Sequence, residues 1–186
     1  MEWLVSHWHI ALGIMGLIFC SCGAWLPRTD RRRAQRLLAG SIALFAYSIL
    51  DGSRYYILLE IVAVLGATLA FTSLRKRQRG FVVIFVSVII LTLLVALGDV
   101  NGARSVLGSI ALLTLGMALA IATPRWYAVG AFLMTIYGFW SFYASDFRSA
   151  IACLFGVLNT VLFVAALHGC LAQERDGPLA AQATSV

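Results

Sequence analysis

Seven long apolar stretches, each bounded by charge, proline or glycine, constrain this chain more than any other feature. They lie at roughly 9–26, 36–50, 55–74, 81–98, 105–123, 126–144 and 149–171. A bilayer core asks for about 20 helical residues, within a range of about 17–25, and six of the stretches meet it. The second is short unless it is taken back through Ala34 or on into Tyr55. The runs are continuously apolar, without in–out alternation, which selects helices over barrel strands. Of 186 residues, 61% are hydrophobic and 12% charged. A soluble domain of this size has no way to hide so much apolar surface. The expectation is an all-α integral membrane protein whose main partner is the lipid bilayer.

Positive charge orients the spans. Arg28, Arg31, Arg32, Arg33 and Arg36 separate the first two stretches, and Arg75, Lys76, Arg77 and Arg79 separate the third and fourth. With seven spans, Arg125 and Arg175 fall on that same face, against Arg54, Arg104 and Arg148 on the other. The positive-inside rule makes the richer face cytoplasmic, with the N-terminus outside and the C-terminus in the cytoplasm. The net charge of +6 is thus assigned to topology, and the two basic loops are available to anionic lipid headgroups. Loops this short, without a folded domain of their own, do not point to nucleic acid. Met1 to Ile10 carries Glu2 and no Lys or Arg. It lacks the n-region of a secretory signal peptide, so the first helix is expected to be retained. The small, polar residues after Gln173 are expected to form a flexible tail.

Two marks recur along the chain. Pro27-Arg28 and Pro124-Arg125 lie 97 positions apart, and each precedes a glycine with a tyrosine seven positions on: Gly40 and Tyr47, then Gly130 and Tyr137. Gly13 and Gly16 are echoed by Gly108 and Gly116, and the Asp51/Arg54 cluster by Asp146/Arg148. If spans 5–7 repeat spans 1–3 in the same orientation, one extra span must carry the chain back. Phe81 to Gly98, rich in Val, Ile and Leu and without charge before Asp99, suits that role. The expected architecture is seven transmembrane helices as 3+1+3 parallel triple-helix-bundle repeats. Residues 1–79 form the first repeat, 80–100 the linker helix, 101–172 the second repeat and 173–186 a cytoplasmic tail.

The 3+1+3 plan, the proline closing Ala24-Trp25-Leu26-Pro27 and its echo at Ala122-Thr123-Pro124 carry a family likeness. So do Arg31-Arg32-Arg33-Ala34-Gln35, Val106-Leu107-Gly108-Ser109-Ile110 and Gly156-Val157-Leu158-Asn159. Over residues 10–171 the chain resembles the PQ-loop/SWEET transporter superfamily, nearest the YgjV-type bacterial inner-membrane proteins. The superfamily's Pro-Gln is Pro-Arg at both sites here, so nothing assigned to that glutamine carries over. The resemblance implies a small-solute carrier or facilitator in a bacterial inner (plasma) membrane, with a path between the triple-helix bundles. It also implies a path asparagine in the third helix of the repeat, the position of Asn159.

Glu60 is the one acidic residue well inside an apolar stretch. It stands about six residues into the third helix, roughly 8–9 Å from its end at about 1.5 Å per residue. A carboxylate there is costly and by default marks an ion or proton path; the alternatives are snorkelling outward or pairing with Arg54. Asn159 offers two donors and an acceptor to a polar solute, or else an interhelical hydrogen bond. Leu59-Glu60-Ile61-Val62 matches Leu158-Asn159-Thr160-Val161, which makes the two candidate symmetry mates. Tyr47 and Tyr137 either line a path or pack with a hydroxyl partner. Pro27, Pro124, Gly40 and Gly130 are candidate hinges or helix boundaries. Trp3, Trp8, Trp25, Trp126 and Trp140 sit near span ends and suit interface anchors.

Other chemistries find no support. The only lysine, Lys76, lies in a loop, so no Schiff base to a buried lysine can form. There is no H-E-x-x-H, G-x-S-x-G or P-loop, and Ser141 and His168 fall near opposite membrane faces. Cys20 and Cys22 project about 200° apart on a helix, and with Cys153 and Cys170 suit small packing positions. No catalytic residue, metal or cofactor is expected. The competing reading is a non-transporting scaffold, partner subunit or lipid-binding sensor. Transport requires Glu60 and Asn159 to converge on a cavity between the two triplets; one complete unit suffices, and a homodimer is compatible with it.

Overall fold

Each apolar stretch folds as one helix in the computed structural model, which describes residues 8–26, 31–121, 123–144 and 150–183. Residues 31, 124, 150–152 and 171–183 are described by their backbone alone. The helices among these residues are α1 (Trp8–Ala24), α2 (Arg31–Asp51), α3 (Arg54–Leu69), α4 (Lys76–Ala96), α5 (Ala103–Ile121), α6 (Pro124–Ala144) and α7 (Ala150–Ala183). Three are long and apolar enough to cross a membrane: α4, α5 and the Cys153–Cys170 part of α7. α1 and α3 are shorter, at 17 and 16 residues, and α2 opens on Arg31, Arg32, Arg33 and Arg36.

Local chemistry sets the ends, and in places moves them from where hydropathy puts them. Gly52 and Gly98 adopt left-handed φ of 73° and 74°, a conformation open to glycine without steric cost. At Gly98 this ends α4 with the Asp99 N–H donating to the Leu94 carbonyl at 3.0 Å, a Schellman-type closure. Ser53 caps α3, its Oγ accepting from the Tyr56 N–H at 3.5 Å. α3 stops at Leu69, short of the expected residue 74. There the Phe71 and Thr72 N–H groups turn back onto Thr68 and Leu69, and Thr72 Oγ1 donates to the Leu69 carbonyl at 2.7 Å. α4 begins at Lys76 and not Phe81, with the Arg75 N–H held by Gln78 Oε1 at 3.0 Å. The basic runs at Arg31–Arg36 and Lys76–Arg79 are therefore helical. α7 runs past Gln173 to Ala183, into the stretch expected to be a tail.

Packing closes a ring. α1 packs on α2, α2 on α3, α3 on α5, α5 on α6, α6 on α7 and α7 on α1, while α4 lies outside against α3 and α5. α1 and α2 run antiparallel, as do α5 and α6: Gly13 lies beside Tyr47 with Gly23 beside Leu37, and Gly108 beside Tyr137 with Gly130 beside Leu115. The two closing seams are parallel. On α3 and α5, Tyr55 meets Ser105 while Gly66 meets Gly116; on α1 and α7, Gly13 meets Phe155 while the Trp25 and His168 rings lie tilted against each other, centres 5.1 Å apart. A parallel α3–α5 seam needs a segment running back between them, and α4 is that segment. Small residues let these backbones touch: a Cβ on Gly138 would stand 2.7 Å from Gly156 Cα.

The exterior is apolar and the interior partly polar, the inverse of a water-soluble bundle. On α4, Phe81, Phe85, Val88 and Val95 are more than half exposed, whereas Ser41, Ser48, Glu60, Ser109 and Asn159 are buried. Chain direction gathers Arg32, Arg33, Arg36, Arg75, Lys76, Arg77, Arg79 and Arg125 at one end of the ring, with Arg54 and Arg104 at the other. Arg54 pairs with Asp99 at 3.8 Å, rather than with Glu60 or Asp51. Trp3, Pro27, Arg28, Asp146 and Arg148 lie outside the described residues.

Candidate functional site

Helical spacing aims one stripe of each ring helix at the centre. On α3 the stripe is Tyr56, Glu60 and Ala63; on α7 it is Phe155, Asn159 and Leu162, both at i, i+4, i+7 and hence on one face. α2 adds Ser41, Leu44, Tyr47 and Ser48, and α6 adds Tyr127, Met134, Tyr137, Gly138 and Ser141. Leu17 and Cys20 of α1 and Leu112, Leu115 and Leu119 of α5 complete the wall. The cavity they line is about 250 Å³. α4 contributes nothing to it.

Most of this wall pairs across the ring. Leu17 and Leu112, and Cys20 and Leu115, are 95 positions apart; Leu44 and Met134, Tyr47 and Tyr137, and Ser48 and Gly138 are 90 apart. Tyr56 and Phe155, Glu60 and Asn159, and Ala63 and Leu162 are 99 apart. One constant offset per helix thus relates α1 to α5, α2 to α6 and α3 to α7, and in the ring order these are opposite helices. Contacts follow the same rule: Tyr47 packs on Phe155 with ring centres 5.7 Å apart, and Tyr137 packs on Tyr56 at 6.4 Å. Gly16 and Gly116 do not fit it. Gly16 packs on Gly40 and Leu44, whereas Gly116 packs on Gly66 and Val62 of α3.

Glu60 is the exceptional group. It is 6% exposed, and its Oε2 is buried with no hydrogen-bond partner among the described residues. The lining contains no Lys, Arg or His. Asn159, 2% exposed, donates one amide N–H to the Phe155 carbonyl at 2.8 Å; an amide has a second N–H and a carbonyl oxygen besides. Ser141 Oγ is likewise buried without a partner among the described residues, while Ser48 Oγ donates to the Leu44 carbonyl at 3.0 Å. One turn from Glu60 and Asn159, away from the arginine-rich end, Tyr47, Tyr56, Tyr137 and Phe155 form an aromatic layer. Within it the Tyr56 and Tyr137 hydroxyls are hydrogen-bonded to each other. Toward the arginine-rich end, Leu119 and Tyr127 separate the cavity from a second one of about 70 Å³, lined also by Arg33 and Thr123.

No family model matches this chain, nor does any curated protein or solved structure. Its own chemistry is what the site offers.

The structure brings Glu60, Asn159, Tyr47 and Tyr137 to one cavity. Gly40 and Gly130 lie mid-helix at close crossings: a Cβ on Gly40 would be 2.5 Å from Cys20 Sγ, and one on Gly130 2.7 Å from Leu115 Cγ. Those two neighbours are themselves a matched pair. Pro124 is the first residue of α6, where its fixed φ suits the helix start; Pro27 is outside the described residues. Cys20 is buried and Cys22 exposed, all four cysteines being free thiols. Among the described residues no three of His, Cys, Asp and Glu gather as a metal site. Tyr56, Phe155, Ser41, Ser48, Tyr127 and Ser141 join the wall without having stood out in the sequence as path residues. An aromatic four positions before both Glu60 and Asn159 is the available signal for the first two.

Proposed function

We propose that this chain is a polytopic membrane protein that passes a small polar solute through the central cavity. In this reading α1–α3 and α5–α7 are diverged copies of one triplet, α4 is the linker span, and all seven helices cross the membrane. The arginine-rich end faces the cytoplasm, as the positive-inside rule requires, and the membrane is a bacterial inner one, in keeping with the PQ-loop/SWEET likeness. The observation that carries it is the convergence of Glu60 and Asn159 on one cavity from opposite helices. Transporters built from repeats place their sites at such an interface. The constant offsets across the wall and the matching parallel seams support the duplication.

The moving elements follow from which contacts cross between triplets. Tyr56–Tyr137 and Tyr47–Phe155 both do, and they bridge the cavity on the side away from the arginines. Leu119 and Tyr127 close it on the other. Rocking of one triplet against the other about the α3–α5 and α7–α1 seams would open either closure while the other holds. The α3–α5 seam is a close backbone contact at Gly66 and Gly116, so the rotation pivots there with little sliding.

The second reading, a scaffold, partner subunit or lipid-binding sensor, draws on the mostly apolar wall, in which leucines and a methionine recur. Uptake by proteoliposomes, screened over neutral, cationic and anionic small solutes, separates the two. Transport that falls in Glu60→Gln and Asn159→Ala supports the carrier. Equal uptake in all three proteins removes the site assignment, and no uptake of any solute favours the scaffold.

A further inference from the structure

The cavity combines a lone buried carboxylate, no basic side chain and an aromatic layer, and that combination specifies a ligand class. An unpartnered buried carboxylate is costly unless a proton or a bound cation neutralises it. The other titratable groups in the wall are Cys20 of α1, Tyr47 of α2, Tyr56 of α3, and Tyr127 and Tyr137 of α6. None of these can carry positive charge. The compensating charge must come from outside the chain.

The remaining wall narrows its nature. An anion would meet Glu60. A divalent metal needs a shell of several oxygens, usually with more than one carboxylate or carbonyl, and the wall has one carboxylate, its other oxygens being Ser and Tyr hydroxyls and the Asn159 amide. A polyhydroxylated solute would find several wall hydroxyls already engaged, those of Tyr56 and Tyr137 with each other and that of Ser48 with the Leu44 carbonyl, leaving its own short of partners. An alkylated or primary ammonium fits on all counts: its charge meets Glu60, its carbons meet the apolar wall, and aromatic rings one turn away suit a cation. About 250 Å³ lies just below the roughly 300–1,000 Å³ of drug-sized pockets, which favours a small ligand. Asn159, on the opposite helix, offers hydrogen bonds to the far end.

We infer that the cavity is a binding site for a small organic monocation, with an ammonium on Glu60 and a hydroxyl or other hydrogen-bonding group on Asn159. This names the solute class for the site used in the transport reading, and it concerns binding alone.

The test is calorimetric titration of the purified full-length protein in maltoside micelles, where no transport is needed. The probes are choline, ethanolamine and 3,3-dimethylbutan-1-ol, the last a neutral isostere of choline. Wild type is expected to bind choline or ethanolamine saturably at one site, and the neutral alcohol at least about tenfold more weakly. Glu60→Gln should weaken ammonium binding at least about tenfold. Asn159→Ala should weaken choline while sparing tetramethylammonium, which has no hydroxyl. The inference is overturned if neither ammonium probe binds wild type, or if the neutral alcohol binds as well as choline. It is overturned too if a folded Glu60→Gln protein keeps its affinity. The probe comparison uses wild type alone, so it holds even where a variant fails to fold. Binding without uptake would retain this site and discard the carrier; uptake of a neutral solute without ammonium binding would do the reverse.

Discussion

Glu60 and Asn159 look into one cavity from opposite helices of the ring, and one offset of 99 positions relates them and their lining neighbours. Tyr56 and Ala63 correspond to Phe155 and Leu162 by the same shift. At the most polar level of the cavity the correspondence thus joins unlike groups, a carboxylate and an amide. A site with two different ends can hold an unsymmetrical solute in one orientation. The proposed carrier reading and the cation-site inference both use that difference.

Removing the charge at Glu60 is expected to separate stability from function. Leaving a buried polar group unsatisfied costs about 1–3 kcal/mol, more for a charged one. Glu60→Gln should therefore raise the melting temperature in micelles by a few degrees, at about 2–4 °C per kcal/mol for a chain of this length. Uptake should fall in the same variant. A lower melting temperature would mean that the carboxylate has a partner within the protein.

The Tyr56–Tyr137 hydroxyl contact joins the two triplets, so its removal should show coupling. In a double-mutant cycle of Tyr56→Phe and Tyr137→Phe, the interaction energy is expected to be about 0.5–1.5 kcal/mol. The matched contact at Tyr47 faces Phe155, whose ring carries no hydroxyl. A cycle of Tyr47→Phe with Phe155→Leu should return a hydroxyl coupling near zero. Additive behaviour of the Tyr56 and Tyr137 variants would show that the contact contributes nothing.

Glycines of different surroundings should respond differently to alanine. A Cβ on Gly66 would collide with the Gly116 carbonyl at the α3–α5 seam. Gly66→Ala should destabilise by at least about 2 kcal/mol, as overpacking against backbone does. Gly52→Ala has open space but a φ of +73°, and should cost about 1 kcal/mol. Gly102→Ala has neither constraint and should be neutral. Thermal melts of the three would expose a wrong seam if Gly66→Ala behaved like Gly102→Ala.

Orientation is open to direct labelling. In a background lacking Cys20, Cys22, Cys153 and Cys170, Asn101→Cys lies between α4 and α5 and Ser73→Cys between α3 and α4, both exposed. A membrane-impermeant maleimide added to intact spheroplasts should label position 101 and reach 73 only after lysis. The reverse pattern would invert the proposed topology. Labelling of both from one side would mean that α4 does not cross.

Hydropathy locates all seven helices, yet misses three ends for identifiable reasons, besides the extension of α7 to Ala183. Charge suggests loop at Arg31–Arg36 and at Lys76–Arg79, although an arginine is a good helix former. The end of α3 is set by Thr72 and the 70–75 turn, chemistry that an apolar window averages away. Tyr56 gives no distinct signal because a tyrosine near a span end also suits an interface anchor. Composition matches Gly116 to Gly16, whereas its packing partner is Gly66. Spacing along α3 offers Arg54 as a partner for Glu60, but Asp99 on the far side of α4 reaches it first.

What the chain's own letters decided is the set of apolar helices, the lopsided basic charge and the presence of one acid deep in an apolar run. These are local, additive properties, readable without knowing any neighbour. The fold alone decided that α3 and α7 stand opposite each other, and that Glu60, Asn159 and five aromatics share a single space. That outcome depends on how each helix is rotated about its axis. Rotation is set by contacts between residues distant in sequence, such as Gly66 on Gly116 and Gly138 on Gly156, where only the absence of a side chain lets the backbones meet.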